Sequence, residues 1–184
     1  TNTSPIPVTI TFNEDVTGFD ITDLTVGNGT EGNFIAVSAT EYTVDITPTI
    51  DGAVTVDVAA DAGVDASGNG NTVAIQFNID YDGTVPTVVI TSTEVSPTNA
   101  SPIPVTITFN EDVTGFDISD ISVGNGTEGN FMAVSATEYT VDITPAADGV
   151  VTVDVAADAA VDVDTNGNTA AIQFSIDYDG TGPT

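Results

Sequence analysis

Carboxylates are the side chains here whose number and spacing could do chemistry. The chain carries 28 Asp and Glu residues and no Lys, Arg, His or Cys. One cluster lies between Asp158 and Asn168. Within it, Asp162-Val163-Asp164-Thr165-Asn166-Gly167-Asn168 places oxygens at alternate positions with a glycine at the bend. That is the opening spacing of a calcium-binding loop. The position for the closing bidentate carboxylate is Gln173, inside a strand pattern, and the matching loop of the first half has Ser67 at its middle position. The spacing therefore reads better as an Asn-Gly turn than as an independent calcium loop.

The charge balance narrows the chemistry further. The formal net charge is −28, so no carboxylate can meet a side-chain cation. Two carboxylates about 5 Å apart repel by roughly 3 kcal/mol at an effective dielectric near 20. A divalent ion reverses that sign, and calcium accepts six to eight oxygens in a flexible arrangement. Calcium is the expected cofactor, and the alternative is a solvated acidic rim whose Asp and Asn side chains satisfy turns. Nucleic acid is excluded as a partner, because phosphate binding depends on Lys and Arg. Anionic membrane surfaces are disfavoured for the same reason, and no apolar run approaches the roughly 18 residues of a membrane span. No His or Lys is present to activate a Ser or Thr, and there is no Cys nucleophile. Paired carboxylates can hydrolyse glycosides, yet there is no Trp to stack a sugar. An enzyme is not expected.

The elements that must position these acids follow from an internal repeat. Residues 1–87 align with 98–184 at an offset of 97, and 15 of those 87 positions differ. The two copies meet in Asp80–Pro97, where Gly83-Thr84-Val85-Pro86 breaks one strand pattern before Val88, Val89 and Ile90 begin another. This predicts domains at 1–84 and 85–184. In the first copy Val8, Ile10 and Phe12 alternate with Thr9 and Thr11, a half-buried strand of period two. Ile21, Leu24 and Val26 continue the apolar spacing to a Gly27-Asn28-Gly29 turn. Phe34–Val37 and Tyr42–Ile46 read as a hairpin, Val54–Val58 as the next strand, and Val73–Tyr81 as the last. With Val88–Thr93 leading the second copy, a full unit has seven short strands at the spacing of a β-sandwich. The class is all-β.

Four segments give the unit a more specific likeness: VTITFNEDVTGF, ITDLTVGNG, TPTIDGAVTVDV and the close from GNGN to DYDGTVPT. Together they resemble the bacterial Ig-like domains that occur as tandem repeats in very large surface proteins and adhesins. The resemblance covers both copies. It implies two tandem Ig-like sandwiches in a secreted, cell-surface or filament protein, acting as spacer or stalk and often calcium-bound. A glycan- or receptor-binding module of an adhesin is the alternative. The absence of cationic residues departs from an ordinary member of that family.

Strand direction then sorts the acids by pole. At the end where the chain leaves the first domain lie Asp51, Asp80 and Asp82; where it enters the second lie Glu111, Asp112, Asp158, Asp162 and Asp164. These eight are the candidate calcium ligands. Thr1 aligns with Thr98, so the first domain lacks a counterpart of the leading strand and exposes what Val88, Val89 and Ile90 cover in the second. Either the chain is trimmed from a longer array of neighbouring Ig-like repeats, or another copy donates the strand.

Overall fold

Alternating apolar residues become paired strands throughout the computed structural model, which describes residues 1–184. The chain divides into two units, Thr1–Thr84 and Val85–Thr184. Unit 1 contains β1 (Ile6–Thr11), β2 (Leu24–Gly27), β3 (Gly29–Ala36), β4 (Glu41–Pro48), β5 (Gly52–Val58) and β6 (Phe77–Tyr81). Its two sheets have the orders β1-β4-β3 and β2-β5-β6. Unit 2 contains β7 (Val88–Ser92), β8 (Ile103–Phe109), β9 (Ile121–Gly124), β10 (Gly126–Ala133), β11 (Glu138–Pro145), β12 (Gly149–Val155) and β13 (Phe174–Tyr178). Its sheets are β10-β11-β8-β7 and β13-β12-β9. All named pairs are antiparallel, and the sheets bury their inward faces against each other as in an Ig-type sandwich.

The inward residues are those the alternation marks. Ile103, Val105, Ile107, Val141, Ile143, Val151 and Val153 are all at most 1 % exposed in unit 2. At one end of this core Phe109, Phe116, Phe131 and Tyr139 pack edge-on or stacked, with centroids 4.9–5.9 Å apart. Phe12, Phe19, Phe34 and Tyr42 repeat the arrangement in unit 1. Such pairs contribute beyond their buried area.

Several local details differ from the strand pattern read in sequence. Ile21–Asp23 forms a single 3-10 turn instead of strand. Asp20 accepts from the Thr22 N–H at 2.8 Å while its own N–H donates to Asp23 at 2.8 Å, so the side chains offer the backbone a competing arrangement. The hairpin strand begins at Gly29 and not Phe34, because Asn28, at φ 55°, turns the chain from one sheet to the other. A bulge between Gly32 and Ile35 follows, with Asn33 at φ 47° donating to Asp45 at 2.9 Å. The last strand begins at Phe77, since Val73–Gln76 holds to β5 only through Ala74 N–H to Val58 and the Gln76 amide to Asp57. Val73 and Ile75 consequently point into solvent, Ile75 98 % exposed.

The expected cover by three side chains of the leading strand is corrected to two. Val88 and Ile90 are buried, whereas Val89 is 58 % exposed, because successive residues of a strand face opposite sides.

Candidate functional site

Each candidate ligand sits at a loop or near a strand end, and the carboxylates of Asp51, Asp82 and Asp162 help to fix the backbone around them. In unit 1, Asp51 precedes β5, and Asp80 and Asp82 flank the end of β6. One Asp51 oxygen accepts from Gly83 N–H at 2.7 Å and the other from the Thr84 hydroxyl. Both bonds favour the charged form, so Gly83 first and Thr84 second hold the Asp51 carboxyl below the usual carboxylate range. Asp82 accepts from Thr84 N–H at 3.0 Å. Asp51 and Asp82 thus grip the same short segment, Gly83-Thr84, as it leaves the sandwich. Asp80 lies opposite Ala53 on β6 and is exposed. The second unit repeats the clip, with Asp148 on Gly180 at 2.7 Å and on Thr181, and Asp179 on Thr181.

In unit 2, Glu111 and Asp112 form the turn after β8, and Asp158, Asp162 and Asp164 belong to the long loop after β12. The fold brings Glu111 and Asp162 together, with carboxylate oxygens within 4.8 Å of each other. Asp162 is only 4 % exposed. One of its oxygens accepts from Asp164 N–H at 2.8 Å and Asn166 N–H at 2.9 Å, and the other from the Asn166 amide at 2.8 Å. Burial raises the Asp162 pKa, and the hydrogen bonds from Asn166, Asp164 and Thr165 outweigh it and leave the carboxyl lowered. Asp158 is exposed at φ 59°, and a Cβ at the neighbouring Gly167 would collide with its carboxylate, which fixes glycine there. Asp112 is exposed, and after burial itself its negative charge helps push the Tyr139 hydroxyl up.

Asn166 and Asn168 hold this loop as firmly as the acids do, and the list of charged candidates omits them. Asn168 is 1 % exposed; it accepts from Ala160 N–H at 2.7 Å and donates to Ala156 and Thr169 carbonyls. Asn71 does the same for Gly63, Ala59 and Thr72 in unit 1. The sequence signal was the repeated Asn-Gly-Asn, which marks a turn without revealing that one amide spans it.

These lowered carboxyls predict a pH profile. A group whose pKa is lower in the folded chain contributes fully above its unfolded value, near pH 4, and that contribution disappears as pH falls through the folded value. Asp51, Asp65, Asp148 and Asp162 all belong to this class. The melting temperature is expected to fall steeply as pH drops below about 4. Melting curves across pH 2–8 check this, and a midpoint still rising towards about pH 2 contradicts it.

An all-β chain of two successive Ig-type sandwiches defines a class of tandem Ig-like modules. The sequence profile of the bacterial Ig-like domain matches residues 2–81 and again 82–178, and the chain belongs to that family. The family is one of structural and binding modules. No curated protein matches the chain. Among solved structures, the chain is similar to InvD of Yersinia pseudotuberculosis, at 16 % identity and a TM-score of 0.38 over 97 % of this chain and 54 % of that one. It is also similar to SGBP-B of the Bacteroides ovatus mixed-linkage glucan utilization locus, solved with a mixed-linkage heptasaccharide. That match has 15 % identity and a TM-score of 0.29 over 95 % of this chain and 41 % of the other. The chain therefore spans about half, or less, of the length of these two proteins. No helix is long and apolar enough to cross a membrane.

Proposed function

We propose that each unit is a spacer repeat of a secreted bacterial surface protein, adhesin or extracellular filament, and that calcium taken up by the acidic loop ends stiffens the series. One observation carries the spacer reading. Strands β8–β13 reproduce β1–β6 pair for pair, down to the bulge and the clip at the chain exit. A specific binding head is usually a single distinct domain, whereas a spacer gains from repeating one unit. The natural partners of such a unit are neighbouring Ig-like repeats, on the cell surface or beyond it. Calcium is supported by the chemistry of the donors, since Glu111 and Asp162 present oxygens within 4.8 Å and no side-chain cation exists to offset them.

Melting in calcium chloride and in sodium chloride of equal ionic strength tests the calcium part. A single ion present at about 100 times its dissociation constant adds about 2.7 kcal/mol, on the order of 10–20 °C for a unit of this size. Millimolar calcium is expected to produce such a rise and sodium a small one. Equal effects mean general screening, and the calcium part then fails. Reproducible, calcium-dependent hits on a glycan array would overturn the spacer part.

A further inference from the structure

The chain that joins the two units is anchored from both sides. On the exit side β6 ends at Tyr81, yet the next residues stay with unit 1. Asp51, just ahead of β5, accepts from Gly83 N–H at 2.7 Å and from the Thr84 hydroxyl, while Asp82 accepts from Thr84 N–H at 3.0 Å. Tyr81 lies over the same segment, because a Cβ at Gly83 would collide with its hydroxyl. On the entry side, Pro86 accepts from Thr169 N–H at 2.9 Å. Thr87 donates to the Asn110 side chain at 2.6 Å and accepts from Asn110 N–H at 3.1 Å. Bonds within unit 1 therefore reach as far as Thr84, bonds within unit 2 begin at Pro86, and Val85 stands between them.

We propose that the Asp51 carboxylate is a latch, which keeps Gly83-Thr84 in the fold of its own unit and reduces the swivel between successive units to one residue. Each free residue contributes two soft backbone dihedrals, and glycine is the most permissive of all. With the latch closed, the residue left to turn is Val85. It precedes Pro86, which confines its backbone to extended conformations. With the latch open, Gly83 and Thr84 turn as well, and the swivel grows from one restricted residue to three. Asp82 cannot replace Asp51 in this role, because it is carried on the exit segment and bonds only to a residue two places on. Asp51 reaches the segment from the start of β5, 32 residues back in the chain, and bonds to an ionised acceptor are the stronger kind. Unit 2 builds the same latch. There Asp148 accepts from Gly180 N–H at 2.7 Å and from the Thr181 hydroxyl, and Tyr178 lies over Gly180. The latch thus belongs to the fold of each unit. It needs no ion, so it goes beyond the calcium reading and holds with or without it.

The chain has no cysteine, so spin labels attach only where one is introduced. Labels at Ile75→Cys and Ile172→Cys, side chains 98 % and 91 % exposed, place one on each unit. The distance distribution between them is measured in EDTA at neutral pH, beside amide exchange of the unlabelled chain. The parent chain is expected to give one narrow distribution. The spread of a free linker grows as about the square root of its length, so Asp51→Ala should widen it about one and a half times or more. Exchange of the Gly83 amide should quicken about tenfold or more in the same variant. Thr84→Val removes one bond and no charge, and should fall between the two. Asp148→Ala is the control: it frees Gly180 to the same degree and leaves the distribution at the parent width. A broad distribution in the parent chain, no widening in Asp51→Ala and Thr84→Val, or equal widening by Asp148→Ala overturns the proposal. Because EDTA removes calcium from this measurement, failure here is separate from failure of the melting test above.

Discussion

Heated without calcium, the chain is expected to unfold in two steps, with unit 1 melting first. The two units have nearly the same residues, so their difference in stability reduces mainly to the edge strand. Val88 and Ile90 are 6 % and 7 % exposed in unit 2, and unit 1 has no equivalent of either. Each such side chain adds about 1.5–3 kcal/mol on burial. Unit 1 also leaves Ile10, Phe12 and Ile79 partly exposed, where Ile107, Phe109 and Ile176 are buried. The sum is about 3–6 kcal/mol, a large share of what holds a small domain together. At about 4–8 °C per kcal/mol the midpoints separate by on the order of 10–50 °C. Calorimetry gives the two midpoints, and amide exchange on the Tyr42 and Tyr139 strands assigns them. One coincident transition would show that unit 1 closes its core by other means.

Truncating matched aromatic residues should have opposite consequences for the order of melting. Phe109 is 2 % exposed and packs edge-on to Phe116 and Tyr139 at 5.2 and 5.9 Å. Phe109→Ala removes that packing and leaves a cavity, at about 3–5 kcal/mol. The upper transition should fall by on the order of 10–40 °C, enough to merge with the lower one or pass below it. Phe12 makes the same ring contacts at 5.1 and 5.9 Å but stands against an open groove. Water already reaches one of its sides, so Phe12→Ala should lower only the first transition, and by about half as much. Equal losses at both positions would mean that Phe12 is as well covered as Phe109, which contradicts the groove.

The sequence by itself determined the repeat, the all-β class and the inward residues. Those properties follow from local alternation: a side chain such as Val8 or Ile10 has only two faces to choose between, and its neighbours Thr9 and Thr11 settle which. It also determined that no carboxylate can find a side-chain cation, because composition alone decides that. Strand boundaries were legible only where no side chain competed with the ladder. Asp20 diverted Ile21–Asp23 into a turn, and Asn28 and Asn33 bent the chain by hydrogen bonds and positive φ that no apolar pattern records. For the acidic loops, the residue types were visible but not their employment. Only the tertiary structure shows that Asp51 holds Gly83, 32 residues away, or that Asn166 and Asp162 lock each other in a buried turn. The open edge of β1 lies between these cases. The groove beside it takes shape only when two sheets face each other. Val8 and Ile10 come from one sheet, Val56 and Val58 from the other, and nothing local in the chain joins them.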